Sequence, residues 1–232
     1  MKRNIDINQI SDGNLYELND MVKVDCNDCL GCSACCKGMG ESIVLDPLDI
    51  YNLTIGLHTS FEQLLANAIE LNVVDGVILP NMKMSAENEQ CSFLNQEGRC
   101  EIHSFRPGVC RLFPLGRYYE NGGFKYFLQV HECKYPNKTK IKLKKWIGIT
   151  DIQKNQDFII KWHDFIEDIQ TQLSKIGNDE MLKKIDMFIL QHFYMEPYNG
   201  EEDFYSQFDA RLGKAKVVTS TLLKALENQH DK

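Results

Sequence analysis

No apolar run in the chain approaches the roughly 20 residues that a membrane helix needs, so a membrane partner is not expected. Positive charge is also in deficit. Twenty-six Lys and Arg stand against 33 Asp and Glu, a formal net charge of −7 with a pI near 5.4. Global attraction to nucleic acid or to an anionic surface is therefore not expected either. The opening stretch M-K-R-N-I-D-I-N-Q-I lacks an apolar core and a small-residue cleavage site, which reads against a secretory leader. We therefore expect a cytoplasmic, reducing compartment. No glycine-rich phosphate loop, nucleophilic triad, H-E-x-x-H pair or C-x3-C-x2-C run is recognisable. Whether the protein is an enzyme is left open by these absences.

Cysteine is not scarce. Five of nine fall within eleven residues, Cys26, Cys29, Cys32, Cys35 and Cys36, in the run D-C-N-D-C-L-G-C-S-A-C-C-K. The other four, Cys91, Cys100, Cys110 and Cys133, lie in a second segment with Arg and aromatic residues. An odd number in a reducing compartment argues against a disulfide framework and for metal ligation. Thiolates at x2 spacing suit a soft metal, because a tight loop turns several sulfurs inward. All nine are candidate metal ligands. Cys26-x2-Cys29-x2-Cys32-x3-Cys36 matches a bacterial ferredoxin spacing, with Lys37 where proline is usual. Cys29, Cys32 and Cys35 form another phase, and C-x2-C pairs also fit zinc. Cys35 and Cys36 point apart because neighbouring side chains diverge. The nine thiols thus supply one centre with spare cysteines or two centres with one left over.

Arg106 and Arg111 bracket Cys110 and could offset the negative charge of a thiolate-bound centre, so both are candidate cofactor-binding residues. Arg106 could equally cap a turn or pair with a surface carboxylate. His103 and His131 lie near cysteines but compete with plentiful thiolates. Phe93, Phe105 and Phe113 read as core residues that keep water out. Lys138 to Lys145 alternates like a strand with its lysines facing solvent.

The fold class read from these patterns is α+β: a loop-rich metal-binding part with short hairpins and helices, then a helical C-terminal part. We divide the chain into 1–149 and 150–232, the second packed on the first. Residues 1–25 read as a lead-in strand or loop, and Gly31, Gly38 and Gly40 give the cysteine loop its turns. A short strand at Ile43–Leu45 leads to Asp46 as helix cap and Pro47 at the first turn. Ser60 and Gln63 form a capping box, with Leu64, Leu65, Ile69 and Leu71 as the apolar face. Asp75-Gly76 and Asn121-Gly122-Gly123 are hairpin turns. A turn at Asn95–Gly98 brings Cys91 towards Cys100. Three helices follow, with Phe158, Trp162, Phe165, Ile166, Ile169 and Leu173 on the first and a second from Asn178 to Met195. The third carries Phe204, Phe208, Leu212, Val218, Leu222 and Leu226, and Trp162 and Phe165 read as packing.

Cys29-x2-Cys32-x2-Cys35-Cys36, C-S-F-L at Cys91, G-R-C-E-I-H at Cys100 and R-P-G-V-C-R-L-F-P at Cys110 occur in order over residues 25–135. Together they resemble the CxxCxxCC cysteine-cluster family, the YkgJ-type zinc- or iron-chelating domains. The resemblance implies chelation of an iron–sulfur cluster, of the four-iron kind, or of zinc. It also implies kinship with flagellin lysine N-methylases, and hence a redox or protein-modification role with a protein partner or substrate. Two alternatives stand beside this: a non-enzymatic zinc-stabilised interaction module, and a protein lysine N-methylase-like enzyme. Cys26 lies ahead of the family motif, and Cys133 is followed by Lys-Tyr-Pro where members often have C-P-G.

Overall fold

The computed structural model describes residues 6–29, 32–174 and 179–230, so Gly31 and Asn178 lie outside the described residues. The lead-in holds a one-turn helix, α1 (Ile7–Ile10), and two strands, β1 (Ser11–Tyr16) and β2 (Met21–Asp25). Asp46 Oδ1 accepts from the Asp49 amide at 2.9 Å and Asp49 Oδ2 accepts from the Asp46 amide at 3.1 Å. This reciprocal cap, with Pro47 where no N–H is needed, starts α2 (Pro47–Leu57). Ser60 and Gln63 make the second such box and start α3 (Phe61–Asn67).

That helix is shorter than the apolar spacing predicts. Ile69 and Leu71 lie not on its face but in β3 (Ile69–Val74), which pairs antiparallel with β4 (Val77–Met82). The β-branched Ile69, Val73 and Val74 suit a pleated surface, and pairing supplies what helix continuation would have supplied. Asp75 and Gly76 turn the chain with φ of 50° and 90°, the two positive values a type I′ hairpin requires. Ile43–Leu45 runs along this hairpin, Leu45 N donating to Pro80 O at 2.8 Å and Ile43 O accepting from Met82 N at 2.9 Å.

Further on come α4 (Gly108–Leu112), β5 (Leu115–Glu120) and β6 (Gly123–Gln129). β6 lies between β1 and β5 in a three-stranded antiparallel sheet. β7 (Thr139–Lys142) pairs with β2, Asp25 opposite Thr139. The lysine-rich stretch differs from the expected strand. It leaves β7 at Lys142 and becomes α5 (Leu143–Ile147). Leu143 and Ile147 are both buried and Lys145 is exposed; a strand would put all three on one face, whereas a helix keeps Leu143 and Ile147 together and turns Lys145 away.

The C-terminal part is helical, as the spacing predicts: α6 (Ile152–Leu173), α7 (Asp179–Leu190) running into one π-helical turn at Gln191–Met195, and α8 (Phe204–His230). Trp162 and Phe165 are core residues. The larger apolar core joins Ile43, Leu45, the β3–β4 hairpin and Ile102 to buried residues of α6–α8. A smaller core lies under β2, Leu112, Leu115, Tyr126 and α5. The cysteine-bearing loops hang between these two cores.

Candidate metal centre

The first cysteine loop is shaped by unusual backbone. Asn27 and Cys29, on either side of Asp28, both take left-handed φ, 53° and 58°. Such a conformation costs a non-glycine residue roughly 1–2 kcal/mol, so something must hold it. The Cys29 carbonyl accepts from Cys32 N at 3.0 Å and from Arg99 Nη1 at 3.0 Å. Arg99 comes from the second segment, 70 residues away. Within G-R-C-E-I-H, sequence reasoning passed over it, because its partner is a carbonyl that no motif marks.

The two segments are joined by main chain as well. Cys91 N donates to Cys36 O at 2.8 Å, Gly38 N donates to Glu89 O at 2.8 Å, and Lys37 faces Gln90 in an antiparallel bridge. The Asn95–Gly98 turn closes with Asn95 N on Arg99 O, and Leu94 bridges Cys100. Cys110 rides on α4, whose first amide, Gly108 N, donates to Asp49 Oδ1 at 2.7 Å. Phe105 packs its ring against Gly56 of α2 so closely that a Cβ there would sit 2.7 Å away. The turn carrying His103 and Arg106 is thereby docked on the larger core.

The result is one partly enclosed cavity of about 90 Å³ with all nine cysteines in its wall. At 10–15 Å³ per water it has room for roughly six, so a group of several atoms fits. Most of the remaining wall is apolar or basic: Met39, Ile43, Met82, Phe113 and Trp146 on one hand, Arg99, Arg106, His103 and Lys134 on the other. Among the described residues no carboxylate lines it. That donor set fits a soft metal or an iron–sulfur centre and does not fit magnesium or calcium, which take oxygen ligands. All nine cysteines are free thiols. Arg111 lies outside the wall, its Nη2 donating to Ser104 O at 2.9 Å, and His131 also lies outside it. Phe93 is buried behind the wall.

Without a cation, burial and thiol–thiol pairing favour the protonated form of Cys26, Cys29, Cys35, Cys91, Cys100, Cys110 and Cys133. A hydrogen bond with Cys26 favours the Cys29 thiolate, but pairing with Cys35 and burial outweigh it and push Cys29 up to about 11. A hydrogen bond with Cys29 favours the Cys35 thiolate, and Cys36 and burial overcome this to push it up to about 12. Burial raises Cys110, and the neighbouring Cys91 and Asp49 add to it. Burial also raises Cys91, Cys100 and Cys133; Arg106 and Arg99 oppose it at Cys100, and Lys138 at Cys133. A bound metal ion reverses this balance and releases the protons. The cations also anchor the loops. Lys138 Nζ donates to Cys133 O at 2.8 Å, Lys134 Nζ to His131 O at 2.8 Å, and Arg106 Nη1 to His103 O at 3.0 Å.

Beneath the site lies a buried acid pair. Desolvation pushes Asp49 well above the usual carboxylate range, and Asp46 up to about 6, against the pull of the Arg117 charge on both. A carboxyl raised on folding binds more protons in the native state, so its stability contribution is full below about pH 4. It is lost as pH rises through the raised values. We expect Asp49→Asn, which keeps an oxygen for Gly108 N, to flatten the fall in stability between pH 4.5 and 7. Urea titrations of both proteins across that range check this. An unchanged pH slope would show that Asp49 is ionised in the folded chain.

Comparison with known families gives one match: residues 28–144 fit the CxxCxxCC family model, described as a "Putative zinc- or iron-chelating domain". No curated protein and no solved structure matches the chain.

Proposed function

The chain belongs to the CxxCxxCC family, and from that premise we propose that it is a cytoplasmic protein whose thiolates hold an iron–sulfur cluster in a redox role. The observation that carries this reading is a multi-atom cavity with nine thiols, apolar neighbours and no carboxylate in its described wall. A cluster of this kind supplies one-electron transfer when bound. The chain's own residues would do the rest. The cysteines ligate, and Arg106, with Arg111 one shell further out, offsets the negative charge that thiolates accumulate. Phe113, Met82 and Trp146 limit water. Residues 1–149 are the chelating unit and 150–232 its helical support, since the cavity wall runs from Cys26 to Trp146. A service to protein modification would place the partner at the open side of this cavity.

Zinc is the second reading, and one observation favours it. Cys26 Sγ and Cys29 Sγ stand 3.6 Å apart, close to the edge of a four-thiolate zinc tetrahedron, about 3.8 Å for bonds of about 2.3 Å. Anaerobic purification of the full chain followed by iron, sulfide and zinc analysis and a visible spectrum decides between them. Broad absorption near 400 nm with iron and sulfide in the sample is the expected result. A colourless protein with stoichiometric zinc would replace it with the second reading.

A further inference from the structure

The nine thiols share a cavity, but they are not held by one framework. Cys91 and Cys100 belong to a loop bridged at Met84–Cys91 and Leu94–Cys100, Cys91 N is bonded to Cys36 O, and Cys110 is fixed through Gly108 to Asp49. These anchors all lead to α2 and the β3–β4 hairpin, on the larger core. Cys26 and Cys133 are held elsewhere. Cys26 directly follows β2, whose last residue Asp25 pairs with Thr139 of β7 and accepts from its hydroxyl at 3.2 Å. Cys133 leads into β7, and Lys138 Nζ clasps its carbonyl. The β2–β7 ribbon therefore carries Cys26 and Cys133 at one end, on the smaller core.

Cys26 also needs a reason of its own. It precedes the family match, which begins at residue 28. It is nonetheless the most buried of the nine, 3% exposed, with its sulfur 3.6 Å from Cys29. That separation suits two thiolates on one metal atom, about 3.8 Å apart in a tetrahedral site. Thiolates around a cubane each bind a different iron and stand farther apart.

Resting on the metal-binding reading above, we propose that the cavity holds two centres: a single metal atom bound by Cys26, Cys29, Cys32 and Cys133, and a separate centre bound by Cys91, Cys100 and Cys110 with one of Cys35 and Cys36. Nine thiols then divide into two sets of four with one over. The adjacent Cys35 and Cys36 sit on one 3₁₀ turn, which sends neighbouring side chains about 120° apart. One of them faces the second set and the other is the spare. Cys32 follows Cys29 at the x2 step on the same turn, its N–H donating to Cys29 O at 3.0 Å.

Metal counts per chain on the full-length protein test the division. Cys26→Ser and Cys133→Ser should each lose one metal atom per chain and keep the remaining metal with its spectrum. Cys110→Ser should keep one metal atom and lose the rest. If Cys26→Ser keeps the full count, Cys26 is no ligand and the division is overturned while metal binding stands. If Cys26→Ser and Cys110→Ser lose all metal alike, the centre is single and the division is again overturned. Should a variant fail to fold, cobalt(II) titration of the reduced, metal-free wild-type chain decides. Thiolate-to-cobalt absorption that rises to two equivalents supports two centres, and a break at one equivalent overturns them. No metal on the purified chain and no cobalt uptake would instead end the metal reading itself, and the division with it.

Discussion

Stripping the metal is expected to release the cysteine loops while the aromatic core stays folded. Among the described residues, the loops at 26–39, 88–114 and 130–138 contain three 3₁₀ turns, one helix of five residues and few buried apolar side chains of their own. Left-handed Cys29 is held by two hydrogen bonds to its carbonyl, one of them from a long arginine side chain. Ligation must therefore supply most of their order. Structural zinc in small peptides contributes an apparent 10–16 kcal/mol or so at neutral pH. The β3–β4 hairpin, by contrast, shares its core with α6–α8 and is expected to hold without the metal. Hydrogen exchange with and without chelator should show protection in the three loops falling towards that of free chain, with opening free energies near zero. Protection in α6 and β4 should change little. Equal loss throughout the chain would mean that the helices also depend on the metal, against the core described above.

Replacing Phe208 by alanine is expected to be the most damaging change outside the cavity. Its ring is fully buried and lies 4.6 Å from Phe158, 5.9 Å from Phe193, 6.1 Å from Phe204 and 6.2 Å from Trp162, centroid to centroid. It thus ties α8 to α6 and to the π turn. Deleting such a ring removes its transfer free energy and leaves a cavity that rigid neighbours cannot fill, about 3–5 kcal/mol in all. That is a large part of the roughly 5–15 kcal/mol by which a domain is stable. Urea denaturation followed by helical circular dichroism should show it as a lower midpoint. Val217→Ala on the same helix, 68% exposed, should stay within about 0.5 kcal/mol and serves as the control. A loss below about 1 kcal/mol for Phe208→Ala would show that the helices repack.

Both expectations rest on things that are legible to different degrees in the chain. The sequence by itself determined the local elements. Asp46 and Ser60 announce their helices because the cap partners lie three residues away. Asp75-Gly76 and Asn121-Gly122 announce their hairpins because the turn needs their φ. The aromatic stripe of α6 announces a buried helix. The cysteine spacing and its four motif blocks announce a soft-metal family, since ligand type and step are chemical facts carried by neighbouring residues. What lay beyond local reach was decided by tertiary structure. α3 ends at Asn67 and β3 takes over because β4 offers a pairing partner. The lysine run turns from strand to helix at Leu143 because the smaller core takes Leu143 and Ile147 while Lys145, which a strand would put on their face, stays exposed. The gathering of all nine thiols needs two segments zipped at Cys36–Cys91 and one ribbon bringing Cys133 beside Cys26. The clasping of Cys29 by Arg99, of Cys133 by Lys138 and of Gly108 by Asp49 involves backbone groups, which every residue carries. No residue type marks a backbone partner in advance, so only the folded chain reveals which carbonyl or amide each side chain finds.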